Sequence, residues 1–265
     1  MPQDALGNEV SSASAAALPG IDDFVEGFLG YETRAANVLA AADASPEAPL
    51  AQVYAGFTWM FLEAPGAEAQ ARVYRDRARA LEAAMSPRET MLLAQLDRWI
   101  AGDIPAAQAI GEDIVAAFPR DLASVKLRQY FDFNRGDAAG MLRIASLALP
   151  AAGENAHLHG MLAFAYEQLN RIPEAEAAGW RALALKGKEP WAQHALAHVM
   201  LSTGRVREGV DFLTRASRTW VGLNSFMYTH NWWHKALLHI SLGEREAVLD
   251  AYDNHVWGIE PTYSQ

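Results

Sequence analysis

No cysteine occurs in the 265 residues. Disulfides, thiolate zinc sites and cysteine nucleophiles are therefore excluded, and any metal or acid–base chemistry must come from other side chains. Basic residues are also scarce. The 22 Lys and Arg stand against 32 Asp and Glu, a net charge of −10. That balance argues against nucleic acid as a partner, since a basic stripe supplies most of that affinity. No run approaches the roughly 18–20 apolar residues that a membrane helix requires. The first twenty residues, MPQDALGNEVSSASAAALPG, have no basic segment ahead of their short apolar stretch, so a secretory signal is not expected. They read as a flexible arm over residues 1–20, and the protein as cytoplasmic. Nucleotide-binding patterns of the GxxxxGK[ST] or GxGxxG kind are missing, as are hairpin turns between alternating apolar runs.

What the sequence has in quantity is alanine: 51 residues, about one in five. Alanine at that level favours helix, and the segments between breakers carry helical spacing. Leu162, Tyr166 and Leu169 mark one face, and Ile110, Ile114 and Phe118 another. Turns at Gly102-Asp103, Gly136-Asp137, Asn170-Arg171 and Gly204-Arg205 are spaced 34 residues apart each time. A fifth turn, Gly243-Glu244, follows 39 residues later, an insertion of five. Gly or Asn suits the left-handed residue that closes a helix. Ala148, Ala182 and Ala216 repeat with the same period, as expected where two helices approach closely.

A 34-residue helix-turn-helix period resembles the tetratricopeptide repeat. Residues 156–187 match that consensus best, with Leu162, Ala163, Tyr166, Ala175 and Ala182 at its packing positions. The expected fold is all-α, an α-solenoid of five or six helix pairs in one domain over 21–265. Repeats are expected near 86–119, 120–153, 154–187, 188–222 and 226–258, with further helices in 21–44 and 50–84. The repeat at 120–153 is the weakest, because Arg128 and Asp132 stand where apolar residues belong.

The last third departs from a generic repeat. HALAH, His194 to His198, and HNWWH, His230 to His234, each place two imidazoles at i and i+4, on one face of a helix. In proteins built from such repeats the first helices line a concave groove. Register places His194, His198 and His230 there, with His157, Phe164, Glu167, Trp191, Lys126 and Tyr130 at similar positions. Five of the eight tryptophans lie from Trp191 onward. Trp191 and one of Trp232 and Trp233, taken as Trp233, are expected to wall a pocket; neighbouring helical residues point about 100° apart, so the other belongs to the core.

The stretches EPWAQHALAHVM, GRVREG, HNWWHKAL and YDNHVWG resemble the tetratricopeptide repeat protein 38 family, densely over residues 189–265 and loosely before 150. Members continue past the WGxxPxYSQ segment that closes this chain at Tyr263, Ser264 and Gln265. The resemblance therefore implies further helical pairs and a fragment or shortened member, but no settled activity.

Two readings follow. In the first, His194, His198, His230 and His234 form a site that binds a small molecule or short peptide. The site either holds that ligand or turns it over by hydrolysis or proton transfer, with imidazole near its ordinary pKa of about 6.5. A divalent metal is an alternative occupant, since i,i+4 is also a ligand spacing; HNWWH lacks the Glu of HExxH, so a metalloprotease is not expected. In the second, the chain is a scaffold for a partner's peptide or helix, its histidines dispersed or capped. Asp250, Asp253, Glu174, Glu176 and Glu208 read as solvated or helix-start groups. Self-association through an uncovered end repeat is a further expectation.

Overall fold

The computed structural model describes residues 2–261. Tyr263, Ser264 and Gln265 of the closing WGxxPxYSQ segment lie outside them. The regular structure of the described residues is all helical, with Gln3 and Glu9 joined by an isolated bridge. None of their helices is long and apolar enough to cross a membrane.

Contacts divide the chain into two compact units, meeting in sequence at Gly136 and Asp137. The first holds α1 (Leu18–Gly30), α2 (Asn37–Ala44), α3 (Pro49–Phe61), α4 (Ala67–Ala80), α5 (Pro87–Ile100), α6 (Ile104–Ala117) and α7 (Leu122–Asn134). The second holds α8 (Ala138–Ala152), α9 (Ala156–Gln168), α10 (Ile172–Leu185), α11 (Pro190–Ser202), α12 (Val206–Ala216), α13 (Ser225–Ser241) and α14 (Arg245–Ala251). Within each unit, helices consecutive in sequence pack together. The helices outnumber those of five or six pairs, because 21–44 breaks at Tyr31 and 50–84 breaks ahead of Ala67.

The turn residues behave as their spacing implies. Gly102, Gly136, Asn170, Gly204 and Gly243 all have positive φ, from 57° at Asn170 to 73° at Gly136 and Gly204. A side chain at such a backbone costs about 1–2 kcal/mol unless it is Asn or Asp. Gly204→Ala is therefore expected to lower stability by about 1–2 kcal/mol, and Asn170→Gly to change it little. Urea titrations would show this as a lower midpoint at unchanged slope for the first variant alone.

Ala148, Ala182 and Ala216 are all buried, as their period suggested. Close approach is also set by glycine. A methyl group at Gly179 would meet Leu196 Cγ at 2.8 Å, so α10 and α11 come together over a bare backbone. In the second unit α9 packs on α11 and α11 on α13, while α10 and α12 fill between them. Four of the five inserted residues lengthen α13, which has 17 residues against 13 in α7, α9 and α11.

Polar groups in the first unit explain where the repeat pattern weakened. Arg128 and Asp132 are buried but joined to one another at 3.0 Å, and Arg128 also reaches Glu112 at 3.0 Å. The opening residues correct an expectation: they are docked, not a flexible arm. Val10 is fully buried, and Asp4 pairs at 3.1 Å with a buried Arg88, which also holds Asp121 at 2.9 Å. A composition rich in Ser, Ala and Gly suggested mobility, but Arg88 needs carboxylates inside the core, and Asp4 is one of them.

Candidate metal centre

The site is built by two helices of the second unit. α11 starts at Glu189, whose side chain accepts from Ala192 N, with Pro190 at its first position. α13 starts at Asn224, whose side-chain oxygen accepts from Met227 N at 2.8 Å. These caps fix the phase of each helix, so i,i+4 stacking turns His194 and His198 one way on α11, and His230 and His234 one way on α13. Because α11 packs on α13, the two pairs face each other.

The four Nε2 atoms close a quadrilateral. His194 and His198 are 3.0 Å apart, His198 and His234 3.2 Å, His234 and His230 3.1 Å, and His230 and His194 2.9 Å. Neutral imidazole cannot satisfy this arrangement. Each Nε2 offers either one proton or one lone pair, so four atoms in a ring make at most two hydrogen bonds. The other two close contacts have nothing between them to hold them. His198 narrows the choice further: its Nδ1 lies 3.2 Å from Glu167 Oε1. A carboxylate only accepts, so Nδ1 carries the proton and Nε2 turns a lone pair into the ring.

A cation at the centre would use all four lone pairs. Ligand distances of about 2.0–2.1 Å place neighbouring nitrogens about 2.9 Å apart in a square and about 3.3 Å apart in a tetrahedron. The observed sides fall within that range. His194, His230 and His234 each offer a ligand atom within 4.8 Å of the others. His198 stands outside that trio: its Nε2 lies 3.0 Å from that of His194 and 3.2 Å from that of His234, and Glu167 orients its ring.

Electrostatics agree with ligand duty rather than acid–base duty. Burial pushes His230 down to about 4, helped by the charge of His198. It pushes His234 down to about 3, with His198 and His230 adding to the effect. His194, fully enclosed, is held well below the ordinary imidazole range by burial first and its three neighbours second. Rings that stay neutral at pH 7 are ready ligands, but a base so weak takes up a proton poorly. Glu167 resists burial because it accepts from His198, which holds its carboxyl below the usual value.

Aromatic rings wall the cluster. Trp191 stacks on His194 with centroids 4.5 Å apart, and Phe164 touches Trp191 at 4.5 Å and His194 at 5.3 Å. Trp191, Phe164, Glu167 and the four histidines thus come together. Phe226 had no place in the sequence reading, yet it stacks on His230 at 5.2 Å. Its signal was present: it precedes His230 by four, continuing the stride to His234.

Other expected residues go elsewhere. His157 is buried against Glu189 at 3.2 Å and accepts from Lys186 at 3.2 Å, tying α9 to the start of α11. Trp233 is 42% exposed, whereas Trp232 stacks on His255 at 3.6 Å. Lys126 and Tyr130 belong to the first unit. There Lys126 sits over the Tyr31 ring and donates to Phe28 O, and Tyr130 donates to Glu63. No family model matches the chain, so the likeness of residues 189–265 to the tetratricopeptide repeat protein 38 family rests on its motifs.

Proposed function

We propose that this is a tetratricopeptide-like helical-repeat protein in which His194, His198, His230 and His234 bind one divalent transition-metal ion. The closed ring of four Nε2 atoms carries the proposal. Four uncharged nitrogen donors suit zinc, nickel or copper, and give little to calcium or magnesium, which prefer oxygen. With the ion bound, the site is a Lewis acid facing Trp191 and Phe164, able to hold a small molecule or short peptide by a donor atom. This replaces imidazole acid–base catalysis, which rings held neutral by burial serve badly. The scaffold alternative expects dispersed or capped histidines, and their convergence counts against it.

The test is metal content and affinity. Protein purified without chelator and equilibrated with zinc is expected to hold one ion per chain by elemental mass spectrometry. His194→Ala and His234→Ala are expected to weaken zinc binding by more than the 10–100-fold typical of outer partners. Glu167→Gln, an outer partner, is expected to fall within that 10–100-fold range. Wild-type protein that takes up no zinc, nickel or copper in calorimetry would end the proposal.

A further inference from the structure

The four imidazoles are unequal, and the inequality has a direction. His194 and His234 are buried, whereas His198 and His230 are both half-buried. His198 is also the ring held from the rim, through Glu167, whose side chain is 12% exposed. Phe226, stacked on His230, is itself 37% exposed. His198 is thus the donor outside the trio of His194, His230 and His234, and the one tied to a carboxylate.

Charge adds a second constraint. A divalent ion on four neutral imidazoles keeps its full charge of two. Glu167 is the carboxylate that touches the four rings among the described residues, and it supplies one negative charge. One positive charge is left uncompensated in a mostly buried place, where desolvation opposes it. A monoanion would balance it. The four rings contact one another, Glu167, Trp191, Phe164 and Phe226. A phosphate dianion would overshoot the charge. A carboxylate balances the charge and has one spare oxygen to leave in water, while Trp191 and Phe164 offer an apolar flank to whatever the carboxylate is attached to.

We infer that the ligand of this protein is a carboxylate-bearing small molecule or peptide, whose carboxylate oxygen displaces His198 and binds the ion held by His194, His230 and His234. This rests on the metal reading above. In the exchange one His198 nitrogen–metal bond breaks and one oxygen–metal bond forms. His198 keeps its Nδ1 proton on Glu167 and recovers its Nε2 lone pair; no proton or electron is transferred.

Cobalt(II) makes the exchange visible, because its d–d spectrum reports the ligand set. Cobalt-loaded wild-type protein titrated with acetate is expected to show a saturable spectral change, and with inorganic phosphate at the same concentrations a weaker one. His198→Ala, which has no imidazole to displace, is expected to bind acetate at least tenfold more tightly. Glu167→Gln, which loosens the anchor of His198, is expected to shift acetate affinity in the same direction. A bound cobalt whose spectrum acetate leaves unmoved would overturn the inference and leave the metal centre standing, as a closed structural site. Equal acetate affinity in wild type and His198→Ala, or tighter phosphate than acetate, would overturn it too. Failure of the wild-type protein to take up cobalt at all would instead remove the metal reading beneath it.

Discussion

Stripping divalent metal from the purified protein is expected to lower its unfolding free energy by about 4 kcal/mol, relative to protein kept at a free zinc concentration a thousandfold above Kd. The reason is the origin of the ligands. His194 and His198 come from α11, His230 and His234 from α13, and 36 residues separate each facing pair. In the unfolded chain no such site exists, so the binding free energy becomes folding free energy of the two helices it joins. What remains without the ion is modest. At most two N–H···N bonds close the ring, each worth roughly 1 kcal/mol net, and two contacts are left near 3 Å without a proton between them. The ion should therefore dominate the local balance. Urea titrations with and without chelator would measure the difference, and its growth with free zinc would follow the logarithm that mass action requires. His194→Ala should be insensitive to chelator. An unchanged wild-type midpoint after verified metal removal would mean that the cluster holds its geometry by packing alone.

How much of this was legible in the sequence depends on the range of the interaction. Features set within one helical turn could be read: the left-handed residues at Asn170 and Gly204, and the pairing of His194 with His198 and of His230 with His234. Period 34 also told which helices would be neighbours, and so which pairs would meet. Features set by a partner far along the chain could not. His157 has the register of a groove residue, but Glu189, 32 positions on, captures it. Trp233 and Trp232 are equivalent as letters, and only the arrival of His255 at 3.6 Å assigns Trp232 to the packed side. Arg88 gave no hint that it would be buried, because its neutralising partners, Asp4 and Asp121, are 84 and 33 residues away. Phe226 lies between these cases. Its spacing was visible, but a lone phenylalanine four residues before a histidine is common, and only α11 opposite makes it the wall of a site.

Acid should destabilise the metal-free protein, and the direction follows from the three rings whose pKa burial lowers. Burial lowers the pKa of His230 from 6.5 to about 4 in the folded state. His234 falls from 6.5 to about 3. Between those folded values and 6.5 the unfolded chain binds more protons than the folded one, so stability rises with pH across that window. Their contribution is complete above pH 6.5 and is lost as pH falls towards 4 and then 3. For His230 alone the interval of 2.5 pH units is worth on the order of 3 kcal/mol, a large part of a typical folding free energy. The carboxylates near the cluster cannot mimic this: Glu167 is held below its ordinary value of 4.5, so its own loss of support begins only at lower pH. The physical cause is that each proton taken up places a charge where two other Nε2 atoms lie about 3 Å away, and the ring must open to water to accommodate it. Urea midpoints of chelator-treated protein from pH 7 to pH 4.5 should fall steeply. His230→Phe and His234→Leu, which remove the protonation site while keeping an apolar ring or branch, should flatten that slope even if their stability at pH 7 is lower. A wild-type midpoint that stays level over the same range would mean that these rings are open to solvent, and the buried ring of imidazoles would have to be redrawn.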